Sequence, residues 1–584
     1  MKVPQERFSL PKFLAWGSVP RGTWSWITDL PIFAAGLALF YVFILLARYW
    51  ASPFTPAVEI SRNPSALPLY AIYSLLRIGI AYLLSLLFTL VYGYVAAYNS
   101  KAERVMIPLL DILQSIPVLS FLPGVMLAMV SVFPRHQLGV ELGAILLIFT
   151  GQVWNMAFSF YSSLKSIPRD LREAARLYGF SAWQRFVQLE LPYAGLGLIW
   201  NSMMSVAGGW FFLMACEMFV LGSRDFRLPG LGSYLQTASS AGDTHAILLG
   251  LGAMISVIVI LDQIVWRPVI AWAQKFKFEQ IESSEAPHSP VLDFLQSSRA
   301  LSVISRRFLR PFGERIALYF AGRRTASPVS GRGVKIRKLA LRSFGALLLL
   351  GILLAITDAF RLLAGLTGAE LKALLLGALA TSLRVFCALV IGTAWTIPAG
   401  VWIGMSPRLA RITQPLAQIA ASVPATALFP VVLLMLIRVG GGLGVGSIVL
   451  LLLGTQWYVL FNVIAGAMAI PADLKEAAAV FRFGRRERWQ LLILPGIFPY
   501  LITGLVTAAG GAWNASIVAE YFHFGGQTIS TIGLGAAISQ ATDAGNFRLL
   551  LAATILMAVF VVTVNRTIWR PMYELAETRF RLES

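Results

Sequence analysis

Few residues of this chain could do chemistry, and they fall in two kinds of place. Arg77, Glu217, Arg384 and Glu520 stand inside otherwise apolar stretches, where a charge is costly and is kept for pairing or for function. They either pair or snorkel within the membrane, or the arginines steer an anionic solute. Other polar residues gather in two cassettes, "EAARLYGFSAWQRFVQLELP" from Glu173 and "EAAAVFRFGRRERWQLLILP" from Glu476. A metal set or disulfide framework is not expected, because Cys216 and Cys387 are too few and too separated. No Gly-Lys dipeptide occurs, so the chain has no G-x-x-x-x-G-K-[ST] loop to hold nucleotide phosphates. The chemistry left is docking and passage, with no catalytic residue, no metal and no cofactor expected.

The elements that position these residues are membrane helices. Hydrophobic residues fill 57% of 584 positions and charged residues 13%, with mean hydropathy +0.72, about half the charge of a soluble domain. The apolar runs reach the length that crosses a bilayer as a helix. Spans are predicted near Leu30–Tyr49, Leu69–Ala97, Val105–Phe133, Leu138–Leu164, Tyr193–Leu221 and Ala246–Trp272. A second set is predicted near Leu341–Phe360, Leu374–Met405, Ile412–Ile437, Gly442–Met468, Gly496–Phe522 and Phe547–Trp569. The net charge of +20 does not indicate nucleic acid. Between Ala273 and Arg342 there are 14 Lys or Arg against 5 Asp or Glu, while His523–Asn546 has no Lys or Arg, the asymmetry of the positive-inside rule. This places residues 1–29, the basic linker 273–340, both cassettes and the tail 572–584 on the cytoplasmic side. The linker's mix of Phe, Leu, Ile and Arg suits a segment resting on lipid. The charged, Pro-rich N-terminus does not look like a removable signal peptide.

The chain repeats itself. A shift of 303 residues maps Glu173 onto Glu476, Trp154 onto Trp457, Pro192 onto Pro495, Glu217 onto Glu520 and Trp266-Arg267-Pro268 onto Trp569-Arg570-Pro571. Upstream the shift is 307, mapping Arg77 onto Arg384, Ser115 onto Ser422, Pro117 onto Pro424 and Pro123 onto Pro430. Two six-span repeats of one orientation follow, residues 30–272 (core 69–272) and 341–571 (core 374–571). Such parallel repeats place a path between them, about an axis along the membrane normal. Asp111 and Asp262 occur in one half only and read as local interface residues.

Each cassette is long enough for a helix–turn–helix at the same topological position. Glu173-Ala174-Ala175 opens a helical turn, Gly179 permits a reversal, and Pro192 ends the cassette as the next span begins. A detachable surface helix of this kind suits docking to another protein. Here the chain resembles the permease subunits of type I ATP-binding-cassette importers, whose E-A-A motif continues with a glycine and an L-P. Glu173, Ala174, Ala175, Gly179, Leu189, Leu191 and Pro192 fill it. Glu476, Ala477, Ala478, Leu492, Leu494 and Pro495 match in the second copy, where Arg482 replaces the glycine and Gly484 lies two residues later. The resemblance implies an all-α integral membrane fold of about 12 helices in a prokaryotic inner membrane. It further implies that the cassettes couple to two separate ATPase subunits, and that an extracytoplasmic solute-binding protein delivers cargo.

The remaining candidates concern the path. "DILQSIPVLSFLP" and "AQIAASVPATALFP" place Ser115, Pro117 and Pro123, and Ser422, Pro424 and Pro430, in mid-span. Broken helices are tolerated in membranes where they are buried in protein or line a cavity, so packing kinks and path lining both remain open. Gly208-Gly209 and Gly510-Gly511 allow close helix approach or gating, and Arg77 and Arg384 are path candidates for an anion. "SVPATALFP" and the outer "GLGSYLQTA"/"GLGAAISQA" resemble the nitrate, sulfonate and bicarbonate branch. Fused ferric-iron or thiamine permeases share the duplication. An ion-coupled secondary carrier and a membrane scaffold or channel are the rival classes.

Overall fold

The computed structural model describes residues 59–134, 136–221, 224–273, 289–298, 356–438, 442–524 and 527–579, with scattered residues between 303 and 354. The first repeat comprises α1 (Leu67–Tyr98), α2 (Ser100–Ser115), a 3-10 turn (Val118–Phe121), α3 (Leu122–Val132) and α4 (Leu138–Ser166). There follow α5 (Arg169–Leu177), the long α6 (Ala182–Glu217), the hairpin β1 (Val220–Leu221) and β2 (Arg224–Asp225), α7 (Leu231–Ser240) and α8 (Thr244–Ala273). A linker helix α9 (Pro290–Ser297) precedes the second repeat. That repeat restates the order: α10 (Gly368–Met405), α11 (Pro407–Ser422), α12 (Ala425–Arg438), α13 (Leu443–Ala469), α14 (Ala472–Val480) and α15 (Arg485–Ala519). It closes with β3 (Tyr521–Phe524), β4 (Gln527–Ser530), α16 (Leu534–Asp543) and α17 (Phe547–Ala576). Both hairpins are antiparallel, the second pairing Tyr521 with Ser530 and Phe524 with Gln527. Equivalent caps recur, Asp243 accepting from the Ala246 N–H (3.0 Å) and Asn546 from the Leu549 N–H (3.2 Å).

Among the described residues, eight helices are long and apolar enough to cross a membrane, or nine if the bent pair α11–α12 is one span. Eight of the about twelve spans expected are such helices. The predicted Leu30–Tyr49 span, the segment 1–29 and most of the linker and of Leu341–Phe360 lie outside the described residues. Val105–Phe133 and Ile412–Ile437 are not continuous helices. Proline disfavours helical backbone in the residue before it, and Ile116 (ψ 127°) and Val423 (ψ 117°), which precede Pro117 and Pro424, are extended. The chain therefore bends there, by 78° between the two halves of the second pair.

A second correction concerns the cassettes. Pro192 and Pro495 do not end them; each lies inside one unbroken helix, α6 or α15. A proline ring clashes with the carbonyl four residues back, and a π-turn just upstream gives it room. Phe186–Glu190 precedes Leu191-Pro192, and Arg488–Ile493 runs up to Leu494-Pro495. The same solution appears in α8 at Asp262–Trp266 before Arg267-Pro268, and in α17 at Asn565–Trp569 before Arg570-Pro571.

The repeats meet reciprocally. Helix α6 packs against α11 and α12 of the second repeat, and α15 against the Val118–Phe121 turn of the first. The Leu119 N–H donates to Asn514 Oδ1 (3.3 Å), and Thr554 Oγ1 donates to the Ser120 carbonyl (3.1 Å).

Candidate translocation site and docking segments

A cavity of about 880 Å³, its open mouth included, lies between the repeats. Helix α6 contributes Met203, Met204, Gly208, Phe211 and Phe212; the α11–α12 bend contributes Gln418, Ser422 and Pro424. Helices α13 and α15 contribute Trp457, Tyr458, Phe461, Gly511 and Asn514. The bend at Val423-Pro424 is what brings Ser422 and Pro424 to this surface. Of the sequence candidates, Gly208, Gly511, Ser422 and Pro424 thus line it together. Gly208 faces the Tyr458 hydroxyl, and Gly511 lies against the Tyr458 ring. Gly209 does not line it: a Cβ there would strike the Gln152 carboxamide of α4, so this glycine serves close packing. Gly510 has open space beside it. Pro123 instead lines a second cavity between the repeats near the hairpins, with Phe219, Tyr521 and His523. Pro117 caps the 3-10 turn and Pro430 lies within α12. Ser115 is the last residue of α2.

Arg77 and Arg384 lie outside both cavities, which corrects their candidacy as residues that steer a solute through them. Arg77 is 1% exposed. Its Nε and Nη2 donate to Glu141, both at 2.7 Å, and its Nη1 to Glu217 Oε1 (2.7 Å) and the Pro229 carbonyl (2.8 Å). The fork of the guanidinium suits such two-point pairing. Glu217 also accepts from Ser74 Oγ (2.7 Å) and the Gly232 N–H (2.7 Å), fastening the start of α7. In the second repeat Arg384 donates to Glu520 (2.8 Å) and Thr531 (2.9 Å), while Thr381 Oγ1 (2.8 Å) and the Gly535 N–H (3.0 Å) complete Glu520. The four sequence-predicted charges therefore form one latch per repeat, joining the first long helix, the end of α6 or α15, and the helix that begins at the G-L-G stretch. Sequence reasoning missed Ser74 and Thr381, although the 307 shift relates them. It also missed Glu141, which a shift of 303 would align with Gly444, whose carbonyl accepts from Arg384 Nε (3.3 Å).

At the opposite end of α6 and α15 sit the cassettes. Helix α5 spans nine residues and carries Glu173 exposed, Ala174 half-buried and Ala175 buried; α14 places Glu476, Ala477 and Ala478 identically. Leu191 and Leu494, with Pro192 and Pro495, begin the long membrane stretches of α6 and α15 beyond the π-turns. The turns leave large apolar side chains uncovered: Leu177 is 88% and Tyr178 80% exposed, Val480 78% and Phe481 75%. Gly179 has φ 67°, and Arg482 takes the same left-handed turn at φ 52°. The closing bonds match, Phe180 N–H to the Ala175 carbonyl (3.0 Å) and Phe483 N–H to that of Ala478 (2.9 Å). Gly484 therefore does not replace Gly179. It precedes α15 with extended backbone (φ −62°), and its N–H donates to Glu487 (2.7 Å). The cassettes differ in their anchors. Buried Glu190 accepts from Tyr98 Oη (2.6 Å) and Arg185 Nε (2.7 Å), whereas the corresponding positions in the second repeat are the apolar Ile493 and Met405.

A cavity shared by two helical repeats, with a projecting turn on each, is the architecture of a duplicated membrane permease. Both repeats carry the same domain, and together they cover more than half of the chain. It belongs to the family of binding-protein-dependent transport system inner membrane components, matched over residues 89–265 and 396–568. Nitrate import permease protein NrtB of Synechococcus elongatus is 27% identical over 195 residues, 33% of this chain and 66% of that protein. Taurine transport system permease protein TauC of Escherichia coli is 30% identical over 166 residues, 28% and 57% of the two chains. Bicarbonate transport system permease protein CmpB of Synechococcus elongatus is 26% identical over 208 residues, 34% and 72%. The matches to the nitrate and taurine permeases thus span less than two thirds of those proteins.

Proposed function

We propose that this chain is the membrane permease of an ATP-driven importer, its two repeats together forming the path of a small anion such as nitrate, bicarbonate or a sulfonate. The observation that carries this reading is the duplicated α5/α14 turn. Each presents an exposed apolar pair, Leu177-Tyr178 or Val480-Phe481, beside an exposed glutamate. Exposed apolar side chains grouped on a projecting element mark an interaction surface. Two separate ATPase subunits dock there, on the cytoplasmic face with both termini. A solute-binding protein docks at the opposite end, where the hairpins and α7 and α16 surround the outer cavity. The anion cargo draws on the names of the relatives. The coupling residues are Glu173, Ala174, Ala175, Gly179, Leu191 and Pro192, and Glu476, Ala477, Ala478, Arg482, Leu494 and Pro495.

An ion-coupled carrier needs an ionisable group facing its path. Among the described residues lining the central cavity there is no Asp, Glu, His, Lys or Arg, which favours the importer. The test is ATP-dependent anion uptake by the chain reconstituted with its ATPase subunits and binding protein. Glu173→Arg with Glu476→Arg should abolish uptake while leaving the chain folded. Undiminished ATP-driven uptake by this variant would reject the docking assignment.

A further inference from the structure

We infer that the second cassette turn requires an acidic surface on its ATPase partner, a requirement the first turn does not share. The inference rests on the docking reading above and adds the chemistry of the partner. The apolar part of the two turns is common to both. Tyr178 and Phe180 pair with ring centroids 6.5 Å apart, and Phe481 and Phe483 at 6.4 Å. The charge beyond the turn is not common. Gly179, Ala182, Trp183 and Arg185 correspond, at the 303 shift, to Arg482, Arg485, Arg486 and Arg488, and all four of these arginines are exposed. In the first repeat the single arginine of the set is spent internally. Arg185 Nε donates to buried Glu190 (2.7 Å), and its guanidinium lies over the Tyr98 ring (5.1 Å). Ile493 stands where that glutamate would be, so Arg488 is released to the surface. Glu487 is the one acid among the four arginines, and its carboxylate accepts from the Gly484 N–H (2.7 Å). Among the described residues, no ion pair engages Arg482, Arg485, Arg486 or Arg488.

Basic residues at the cytoplasmic ends of membrane helices are ordinary, but that bias does not account for where these stand. The first repeat meets it on α5, with Arg169, Arg172 and Arg176. The corresponding positions of α14 are Ala472, Lys475 and Ala479, and the arginines lie past the turn instead. Four like charges within seven residues repel one another. A carboxylate-bearing surface relieves that repulsion and offers the guanidinium fork two-point, charge-assisted bonds. Lipid headgroups are the weaker match. The 35 residues of α15 measure about 52 Å, longer than a bilayer with its headgroups, about 40–45 Å. The charges of this rod are confined to Arg485–Arg488 at its first turn, so the end that stands clear of the membrane is the arginine end. An apolar knob of Val480 and Phe481 rimmed by guanidinium groups fits an apolar pocket rimmed by Asp and Glu.

The experiment uses the full chain assembled with its ATPase subunits in lipid nanodiscs. The photo-cross-linking residue p-benzoylphenylalanine replaces Tyr178 in one preparation and Phe481 in another. Cross-linked peptides are sequenced, and the yield is followed from about 0.1 to 1 M NaCl, over which the screening length falls from about 10 to 3 Å. The expected result is a cross-link from position 481 to a peptide bearing Asp or Glu, with a yield that falls about tenfold across the series. The cross-link from position 178 should hold its yield. Arg485→Glu with Arg486→Glu should weaken the second cross-link about tenfold, roughly threefold for each charge. Replacing the cross-linked acid of the partner by Arg should restore it. A cross-link from position 481 to lipid or to a peptide without Asp or Glu would overturn this inference and leave the docking reading in place. So would an equal salt response at the two turns, or a charge-reversed variant that cross-links as the parent does. Cross-linking to an ATPase subunit from neither turn would overturn the docking reading itself, and this inference with it.

Discussion

The two cassette turns make opposite choices of residue for one backbone conformation, and this can be measured. A residue with a Cβ in the left-handed region costs roughly 1–2 kcal/mol relative to the right-handed one. Glycine escapes that cost but loses more conformational entropy on ordering, roughly 0.5–1 kcal/mol. The difference leaves glycine ahead by about 0.5–1 kcal/mol at φ 67° and φ 52°, the values at Gly179 and Arg482. Gly179→Ala should therefore raise the local opening of the first turn roughly two- to fivefold, and Arg482→Gly should lower that of the second by the same factor. Hydrogen exchange at the Phe180 and Phe483 amides reads this directly, because those amides close the turns onto Ala175 and Ala478. Exchange at Phe180 unchanged in Gly179→Ala, or faster exchange at Phe483 in Arg482→Gly, would refute the argument that backbone conformation governs these turns. Slower exchange at Phe483 together with weaker ATPase coupling would show that the Arg482 side chain itself contacts the partner.

Arg77→Ala strands two buried carboxylates, Glu141 and Glu217, and should cost about 3–5 kcal/mol. Arg384→Ala strands one, Glu520, so thermal unfolding in nanodiscs should rank it milder; the reverse order would refute the latch. Gln152 is fully buried, and among the described residues neither its Oε1 nor its Nε2 has a hydrogen-bond partner. Gln152→Leu should therefore raise the unfolding temperature, by the equivalent of about 1–3 kcal/mol, and a fall would mean that the carboxamide is satisfied. On the second hairpin, the hydrogen bond that His523 Nε2 makes to the Asp543 carboxylate (2.9 Å) raises the pKa of His523 above its usual value, against the lowering effect of its burial. A raised folded-state pKa means that the pair stabilises the hairpin fully below about pH 6.5. That contribution is lost as the pH rises through the elevated value. An NMR titration should place His523 above its unfolded value, and Asp543→Asn should bring it down.

The sequence exposed the duplication, the helical class and the cassettes, because each is a contrast between polar and apolar residues or a coincidence of spacing. What stayed hidden depends on backbone geometry that composition does not encode. An apolar run through Ile116-Pro117 reads as a span whether the chain passes straight or turns at the extended residue. Arg482 carries no mark of a left-handed turn, so Gly484 attracted the assignment. Glu141 escaped notice because its one-sided occurrence breaks the repeat signal, and it looks like a residue at a span's end. The cavity residues Gln418 and Asn514 are neutral, and neither recurs in the first repeat, where the shifts align Gln418 with Asp111 and Asn514 with Phe211, leaving only three-dimensional placement to reveal them.

The π-turns have a mechanical meaning. Because α6 survives Pro192 without a break, its 36 residues form one rod about 54 Å long. One end of that rod follows the exposed turn at Leu177-Tyr178, its middle is a wall of the cavity, and its far end is Glu217, clamped by Arg77. Under the proposed docking, a tilt applied at that turn would act as a lever stroke, swinging the cavity wall and loading the clamp as the fulcrum. The matching rod, α15, of 35 residues ending beside Glu520, completes a pair of tongs whose jaws are the two sides of the cavity.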